Sequence, residues 1–174
     1  MHRLRPGILR KLLIMGLSGA GKTTLAKALA PRLKAVVFNA DEVRAHINKD
    51  LGFSEPDRIE QARRMGWLCD QVAKTGNFAI ADFICPTPAT RAAFLEGGDA
   101  FVVWLHRIKS GRYEDTNRMF VPPEQVDIEV LPQGSPEYWA EQVLRTLRPD
   151  PRSTEADRTD GADGISPFTT AIRR

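Results

Sequence analysis

Residues 16–23 read Gly16-Leu17-Ser18-Gly19-Ala20-Gly21-Lys22-Thr23, which fits in full the eight-residue pattern of a phosphate-binding P-loop. Glycines let the backbone turn so that successive N–H groups point at phosphate oxygens, and a following helix adds its positive end. Lys22 is then expected to reach the β- and γ-phosphates of ATP or a similar nucleoside triphosphate, and the Thr23 hydroxyl to ligate Mg²⁺. The predicted ATP-binding residues are Gly16, Leu17, Ser18, Gly19, Ala20, Gly21, Lys22, Thr23 and Thr24.

Apolar runs alternate with segments of helical period on both sides of this loop. Strands are predicted at residues 12–15, 35–38, 78–81, 101–105 and 127–130, and helices from about residue 22 and at 41–49, 55–74 and 136–147. This alternation is typical of a parallel sheet whose crossover helices cover both faces. A chance glycine-rich match is disfavoured, because the loop lies between a strand and a helix as its mechanics require. We predict an α/β fold of the P-loop kinase type in a single domain.

The domain is predicted to span residues 1–149. With 174 residues, of which 42% are hydrophobic, the chain can bury a core of ordinary size. From residue 150 to residue 174, Pro, Asp, Arg, Ser, Thr and Gly dominate, and apolar residues are sparse. Such a segment buries too little apolar surface to fold, so we predict a disordered C-terminal tail.

Composition narrows the compartment and the partners. The net charge is only +3, and basic residues alternate with acidic ones instead of forming a block, so charge alone favours a small anion as much as nucleic acid. Two cysteines without metal-ligand spacing, Cys69 and Cys85, favour the reducing cytoplasm. Lys11 interrupts the apolar segment before the loop, which reads as a core strand, not a signal peptide, and no run approaches the roughly 18 apolar residues of a membrane span. We expect small nucleotides as partners, no nucleic acid and no membrane, and leave a homodimer open.

Three further segments follow the loop: Asn39-Ala40-Asp41-Glu42-Val43-Arg44, Asn48-Lys49-Asp50-Leu51-Gly52-Phe53-Ser54 and Asp57-Arg58-Ile59-Glu60. Together with the strand-end run Asp82-Phe83-Ile84-Cys85-Pro86, they resemble the adenylylsulfate kinase family. The resemblance covers residues 12–91 and thins out beyond residue 105. The run at 48–54 is far more specific than the P-loop alone.

Members of that family move the γ-phosphate of ATP to the 3′-hydroxyl of adenylyl sulfate in sulfate assimilation. The resemblance implies that Asp41 is the base that orients the acceptor hydroxyl and that Lys22 is catalytic with it. It also implies that two arginines hold the phosphate–sulfate group and that an aromatic ring stacks on the acceptor base. The residues expected to bind the acceptor are Arg44, Phe53, Arg58, Gln61, Ile84 and Phe120, and those expected to bind Mg²⁺ are Thr23 and Asp82.

Each of these roles has a structural alternative. Asp41 would serve equally as the cap of a short helix. Arg44 and Arg58 would also fit exposed ion pairs, and Phe53 would fit the core. These alternatives are open at the level of the sequence.

The chain departs from the family pattern at four places. Gln61 replaces an Asn and would shift an acceptor contact by one methylene. Cys85 replaces a Ser, and it is interpreted as a small buried residue, with a regulatory thiol as the alternative. Asp82 replaces a small polar residue at the end of a buried strand, where P-loop enzymes commonly hold Mg²⁺ through water. The lid is reduced to residues 106–123, which we interpret as a basic, aromatic loop over the phosphates, with an ordinary connection as the alternative.

Because Gln61 and the reduced lid both concern the acceptor side and the ATP side is intact, a second hypothesis keeps the 3′-hydroxyl chemistry but changes the acceptor. A cytidine diphosphoramidate of the kind phosphorylated in capsule modification is one such nucleotide. A third hypothesis is a nucleotide-binding module without kinase activity. Intact Lys22, Thr23 and Asp41 argue against that module.

Overall fold

The computed structural model describes residues 8–148. The predicted tail and the first seven residues of the predicted domain lie outside the described residues. The elements, in chain order, are β1 (Lys11–Gly16), α1 (Lys22–Leu33), β2 (Val36–Asn39), α2 (Ala40–His46), α3 (Glu55–Lys74), β3 (Ala79–Asp82), α4 (Pro88–Leu95), β4 (Phe101–Leu105), α5 (Glu114–Met119), β5 (Ile128–Val130) and α6 (Pro136–Leu147).

The five strands form one sheet in the order β2-β3-β1-β4-β5, and every neighbouring pair is parallel. Side chains of the central strand β1 alternate between two cores, as the two-residue period of a strand requires. Leu12 and Ile14 face a cluster that includes α1 and α6, whereas Leu13 and Met15 face a cluster that includes α2, α3 and α4. Helices therefore cover both faces, and the predicted fold class is confirmed.

Local signals in the sequence explain where the helices begin. Asn39, Ser54, Thr87 and Ser135 each accept a hydrogen bond from a backbone N–H of the first turn that follows. These polar caps satisfy donors that the start of a helix leaves without intrahelical partners. Over residues 8–148, no helix is long and apolar enough to cross a membrane.

The predicted segments at 55–74, 101–105 and 136–147 are confirmed with their bounds. The strands predicted at 35–38 and 78–81 shift by one residue, β1 is one residue longer at each end than predicted, and β5 begins one residue later. The helix predicted at 41–49 ends earlier, at His46. Two helices were not predicted. For α4 the sequence does contain a usable signal, namely the capping box of Thr87 and Thr90 with Pro88 at the first helical position. For α5 the signal is weak, because this helix has only six residues and no side-chain cap.

Candidate active site

One cavity of about 850 Å³ lies beyond the carboxyl ends of β1, β2 and β3. Ligands of open parallel sheets bind at this edge, where crossover connections leave a crevice. The lining residues are Ser18, Gly19, Gly21, Lys22, Thr23, Thr24, Asn39, Ala40, Asp41, Arg44, Phe53, Arg58, Gln61, Asp82, Phe83, Ile84, Cys85, Pro86, Arg112, Tyr113, Asp115 and Thr116. The cavity therefore joins the P-loop to most of the residues proposed for the acceptor.

The P-loop adopts a backbone that only glycine adopts easily. Gly16, Gly19 and Gly21 have φ values of 146°, 90° and 98°, which lie in the region that side chains disfavour. A Cβ at Gly16 would also lie 2.7 Å from the Leu105 carbonyl oxygen. Gly21 is the N-cap of α1 and provides no side-chain cap, so the first N–H groups of this helix are available to phosphate oxygens.

Lys22 is buried at the base of the cavity, and its Nζ donates a hydrogen bond to the Leu17 carbonyl oxygen at 3.0 Å. Burial lowers the pKa of Lys22, and the negative charges of Asp82 and Asp41 oppose that effect. The ammonium group is thus held close to two carboxylates and to the loop that would carry the phosphates. This is a suitable place for charge compensation during phosphoryl transfer.

The donor set around Asp82 fits Mg²⁺. Asp82 Oδ2 accepts hydrogen bonds from Thr23 Oγ1 at 2.6 Å and from Asn39 Nδ2 at 3.0 Å. Its other oxygen, Oδ1, is buried and has no hydrogen-bond partner among residues 8–148. Because Thr23 donates its proton to Asp82, the lone pairs of its hydroxyl are free for a cation, and Mg²⁺ prefers such oxygen ligands. Within the same residues, no group of three or more His, Cys, Asp or Glu side chains could hold a metal. Mg²⁺ at Asp82 would therefore fit the common pattern of one carboxylate completed by water and substrate phosphates.

Asp41 lies at the start of α2, but it does not cap that helix. The cap is Asn39, whose side chain accepts hydrogen bonds from the backbone N–H groups of Asp41 and Glu42 at 3.0 and 3.2 Å. Asp41 is exposed in the cavity, and its charge acts on both Lys22 and Arg44. The carboxylate thus faces both the phosphate side and the proposed acceptor side.

Phe53, Arg44 and Arg58 form the wall of the cavity opposite the P-loop, here called the arginine wall. Phe53 is 64% exposed, so the alternative that placed it in the core is wrong. The guanidinium carbons of Arg44 and Arg58 lie 4.6 and 5.5 Å from the centroid of its ring, within the distance of cation–π attraction. Burial lowers the pKa of Arg44, and so does the charge of Arg58, because the two like charges lie side by side at this wall.

The backbone and the lid hold both guanidinium groups. Arg44 donates to the carbonyl oxygens of Leu51 and Gly52 at 3.2 and 2.5 Å. Arg58 donates to the Phe53 carbonyl oxygen at 2.9 Å and pairs with the Asp115 carboxylate at 2.9 Å. Arg58 therefore does form an ion pair, as the structural alternative expected, but it forms it within the cavity wall.

Gln61 and Ile84 also line the cavity. Gln61 is buried, its Oε1 accepts from Asn48 Nδ2 at 2.8 Å, and its Nε2 donates to the Ala40 carbonyl oxygen at 3.2 Å. Much of its hydrogen-bonding capacity is thus used inside the protein. Its proposed contact with the acceptor stays a prediction.

Phe120 is not brought together with the other acceptor residues. It packs against the core cluster on the α3 side of the sheet and lines a separate cavity of about 270 Å³ that also contacts Trp104. α5 ends at Met119, and just after it the Val121 N–H donates to the Pro86 carbonyl oxygen at 2.8 Å, so a contact distant in sequence holds this segment. Pro86 lines the larger cavity, whereas Phe120 packs against the core cluster instead.

Four residues of the reduced lid, Arg112, Tyr113, Asp115 and Thr116, do line the cavity. Asn117 closes the turn before α5, because it accepts from the Gly111 N–H at 2.8 Å and donates to the Gly111 carbonyl oxygen at 3.0 Å. Gly111 itself lies against the P-loop, where an added Cβ would be 2.9 Å from backbone atoms of Ser18. The lid thus contacts the P-loop and, through Asp115, the arginine wall. Sequence reasoning assigned no individual role to these four residues or to Asn39.

Cys85 is fully buried and has a φ of 48°. Burial raises the pKa of its thiol to about 12, which keeps the sulfur protonated and unreactive at neutral pH. These properties favour the interpretation of Cys85 as a small buried residue over that of a regulatory thiol.

The sheet order, the P-loop after the central strand and the cavity beside it define the chain as an α/β protein of the P-loop kinase fold. Residues 10–105 match the adenylylsulphate kinase family. The chain belongs to this family.

Two relatives and one solved structure describe the similarity. The adenylyl-sulfate kinase of Chloroflexus aurantiacus is 45% identical over 85 residues, which cover 46% of this chain and 46% of that protein. The adenylyl-sulfate kinase of Synechococcus sp. strain JA-3-3Ab is 43% identical over 81 residues, which cover 44% of this chain and 46% of that protein. A cysteine-to-alanine mutant of the Mycobacterium tuberculosis APS kinase CysC superposes with a TM-score of 0.68 and 27% identity, over 82% of this chain and 99% of that one. The chain thus matches about half the length of these two relatives.

Proposed function

We propose that this protein is a kinase that transfers the γ-phosphate of ATP to the ribose 3′-hydroxyl of adenylyl sulfate. The observation that carries the proposal is the arrangement of one cavity, with the P-loop on one wall, the Arg44–Phe53–Arg58 group on the other and Asp41 between them. The names of the relatives supply the acceptor. The arrangement supports a reaction between two nucleotides bound face to face.

The chemistry needs an oriented hydroxyl and compensation of charge more than it needs a covalent intermediate. Asp41 would orient the 3′-hydroxyl and take its proton, while the oxygen forms a bond to the γ-phosphorus and the bond to the β-phosphate oxygen breaks. Lys22 and the N–H groups at the start of α1 would stabilise the charge on the transferring phosphoryl group. Thr23 and Asp82 would hold Mg²⁺, which neutralises charge on the β- and γ-phosphates when it is bound.

The arginine wall would determine which class of acceptor binds. Guanidinium groups suit sulfate and phosphate oxygens, so Arg44 and Arg58 would hold the phosphate–sulfate tail. Phe53 offers an exposed ring on which a base can stack, and such stacking discriminates little between bases. A second acceptor therefore deserves a test, namely a cytidine diphosphoramidate, because Gln61 and the reduced lid both differ from the family on this side.

An acceptor screen tests the proposal. The purified protein is incubated with ATP, Mg²⁺ and either adenylyl sulfate or adenosine and cytidine 5′-diphosphate analogues, and products are read by mass and ADP release. We expect the fastest turnover and a 3′-phosphorylated product with adenylyl sulfate. Turnover of a cytidine nucleotide alone would support the second acceptor. ADP release that no acceptor stimulates would favour the non-catalytic module.

We also propose that the protein acts in the cytoplasm as a homodimer. The two cysteines of the chain, Cys69 and Cys85, are both buried and free, as expected of a reducing compartment. Light scattering of the purified chain tests the dimer, since a mass near twice 19.4 kDa is expected.

A further inference from the structure

Asn39 has no role in the reaction described so far, yet it lies at its centre. It is the last residue of β2 and the residue before α2, and its side chain lines the cavity. It belongs neither to the P-loop nor to the arginine wall. Its hydrogen-bond partners include the Asp82 carboxylate and the backbone N–H of Asp41, and both of these acidic residues have a role in the proposed reaction.

One amide group serves both neighbours. Asn39 Oδ1 accepts from the backbone N–H groups of Asp41 and Glu42 at 3.0 and 3.2 Å, which fixes the first turn of α2. Asn39 Nδ2 donates to Asp82 Oδ2 at 3.0 Å. The amide carries its acceptor and its donor on two separate atoms, so it can serve both neighbours at once. A Ser at this position would cap the helix almost as well, but it lacks the Nδ2 atom, and its single hydroxyl oxygen on Cβ would have to serve both neighbours.

The hydrogen bond from Asn39 has a consequence for the Asp82 carboxylate. Asp82 Oδ2 accepts from both Thr23 and Asn39, while Oδ1, which is buried, has no partner among residues 8–148. The two donors on Oδ2 hold the Asp82 carboxylate in one orientation and leave Oδ1 available for a cation. Groups that hydrogen-bond to a metal ligand orient it in this way, and their loss commonly weakens metal binding.

We propose that Asn39 is a positioning residue that fixes the Mg²⁺ carboxylate Asp82 and the Asp41-bearing turn of α2 in one arrangement. The proposal rests on the proposed function for the roles of these two carboxylates. Asn39 itself touches neither the phosphates nor the acceptor in this account. It fixes the position of the cation-binding carboxylate relative to the turn that carries the base.

The variant Asn39→Ser separates the two tasks, because it retains a helix cap and loses the donor to Asp82. The main readout is Mn²⁺ binding to the protein with ADP, followed by electron paramagnetic resonance, and it needs no acceptor. We expect Mn²⁺ affinity to fall by roughly tenfold and the melting temperature to stay close to that of the wild type. Initial rates with the acceptor should show a higher requirement for Mg²⁺ and a lower kcat, with an unchanged KM for the acceptor.

Two variants serve as controls. Ser135→Ala removes the cap of α6, whose Ser135 Oγ accepts from the Tyr138 N–H at 3.1 Å, and should lower the melting temperature without a change in Mn²⁺ affinity. Asn39→Ala should combine both losses. If Asn39→Ser is too unstable to assay, Asn39→Thr repeats the test with another capping residue.

Unchanged Mn²⁺ affinity in a folded Asn39→Ser or Asn39→Thr protein would overturn the proposal. An equal loss of Mn²⁺ affinity in Ser135→Ala would overturn it as well, because the effect would then follow stability alone. Failure of the proposed function looks different. The wild type would bind Mn²⁺ and ADP and phosphorylate no nucleotide, while the effect of Asn39 on metal affinity would persist.

Discussion

The carboxylate of Asp115, in the lid, forms an ion pair at 2.9 Å with the guanidinium of Arg58, in the arginine wall. Asp115 is 66% exposed in its side chain, whereas Arg58 is only 13% exposed. Asp115 thus accepts a hydrogen bond from the same arginine that is proposed to bind the anionic tail of the acceptor. An anion that binds Arg58 through the same Nη2 group would have to displace Asp115.

Asp115→Asn should therefore strengthen acceptor binding. An exposed ion pair contributes about 0–1 kcal/mol, so we expect the KM for adenylyl sulfate to fall by up to roughly fivefold, with the KM for ATP unchanged. Initial rates over a range of both substrates measure this. Glu114→Gln is the control, because Glu114 pairs with Arg118 on the same short helix and does not line the cavity. A raised KM for the acceptor would mean that Asp115 orients Arg58 instead of competing for it.

Lys22→Ala should remove almost all turnover and leave the fold intact. The ammonium group is buried at a cost in desolvation, as its lowered pKa indicates, so its removal should not lower the melting temperature. We expect kcat to fall by roughly 10²- to 10³-fold, as for other losses of charge stabilisation in a transition state. Lys27→Ala, an exposed lysine on the same helix, should retain full activity. Substantial turnover by folded Lys22→Ala would count decisively against the role of the P-loop.

Asp41→Asn should lower kcat by roughly 10²-fold or more, because it removes the base while it keeps the shape of the side chain. Binding of ATP, measured by calorimetry, should change little. Glu42→Gln makes the same change of charge one residue further along α2 and should leave kcat within about twofold of the wild type. Wild-type kcat in Asp41→Asn would remove this residue from the catalytic role.

Gln61→Asn should affect the acceptor more than ATP. The shorter side chain cannot span both Asn48 and the Ala40 carbonyl oxygen, and a buried polar group left without a partner costs about 1–3 kcal/mol. We expect a lower melting temperature and a lower kcat/KM for the acceptor, with a smaller change for ATP. Equal changes for both substrates would separate Gln61 from the acceptor side of the cavity.

Gly66→Ala should destabilise the fold without touching the site. An added Cβ would overlap the Phe94 carbonyl oxygen, so α3 and α4 would have to separate. Overpacking of this kind costs about 1–3 kcal/mol, which chemical denaturation would detect as a lower midpoint with an unchanged slope. A midpoint equal to that of the wild type would show that α4 adjusts freely.

Local patterns were sufficient for most of the fold. Buried parallel strands are short apolar runs, and helices such as α3 and α6 announce themselves by a polar cap, an early proline and an apolar period. The P-loop is equally local, because its function depends on consecutive backbone groups and on side chains within eight residues. These features could be predicted because each is encoded within one short segment.

The lid was harder to predict. Its bonds from Asn117 to Gly111 are local, but the place of Asp115 depends on Arg58, a residue 57 positions earlier in the chain. The placement of Phe120 had the same difficulty, because the segment after α5 is held by a hydrogen bond from Val121 to Pro86, a residue that follows the distant strand β3. Neither contact leaves a signal in the composition of the loop.

The sequence alone established a P-loop α/β fold and predicted the segments proposed to bind the phosphates and the acceptor, because these follow from short-range geometry and backbone chemistry. Tertiary structure alone decided that Phe53 is exposed between two arginines, that Gln61 is engaged inside the protein, and that Asn39 joins Asp41 to Asp82. The physical reason is that parallel strands distant in sequence end at the same edge of the sheet. Hydrogen bonds across that edge depend on strand order and register, which no single segment encodes.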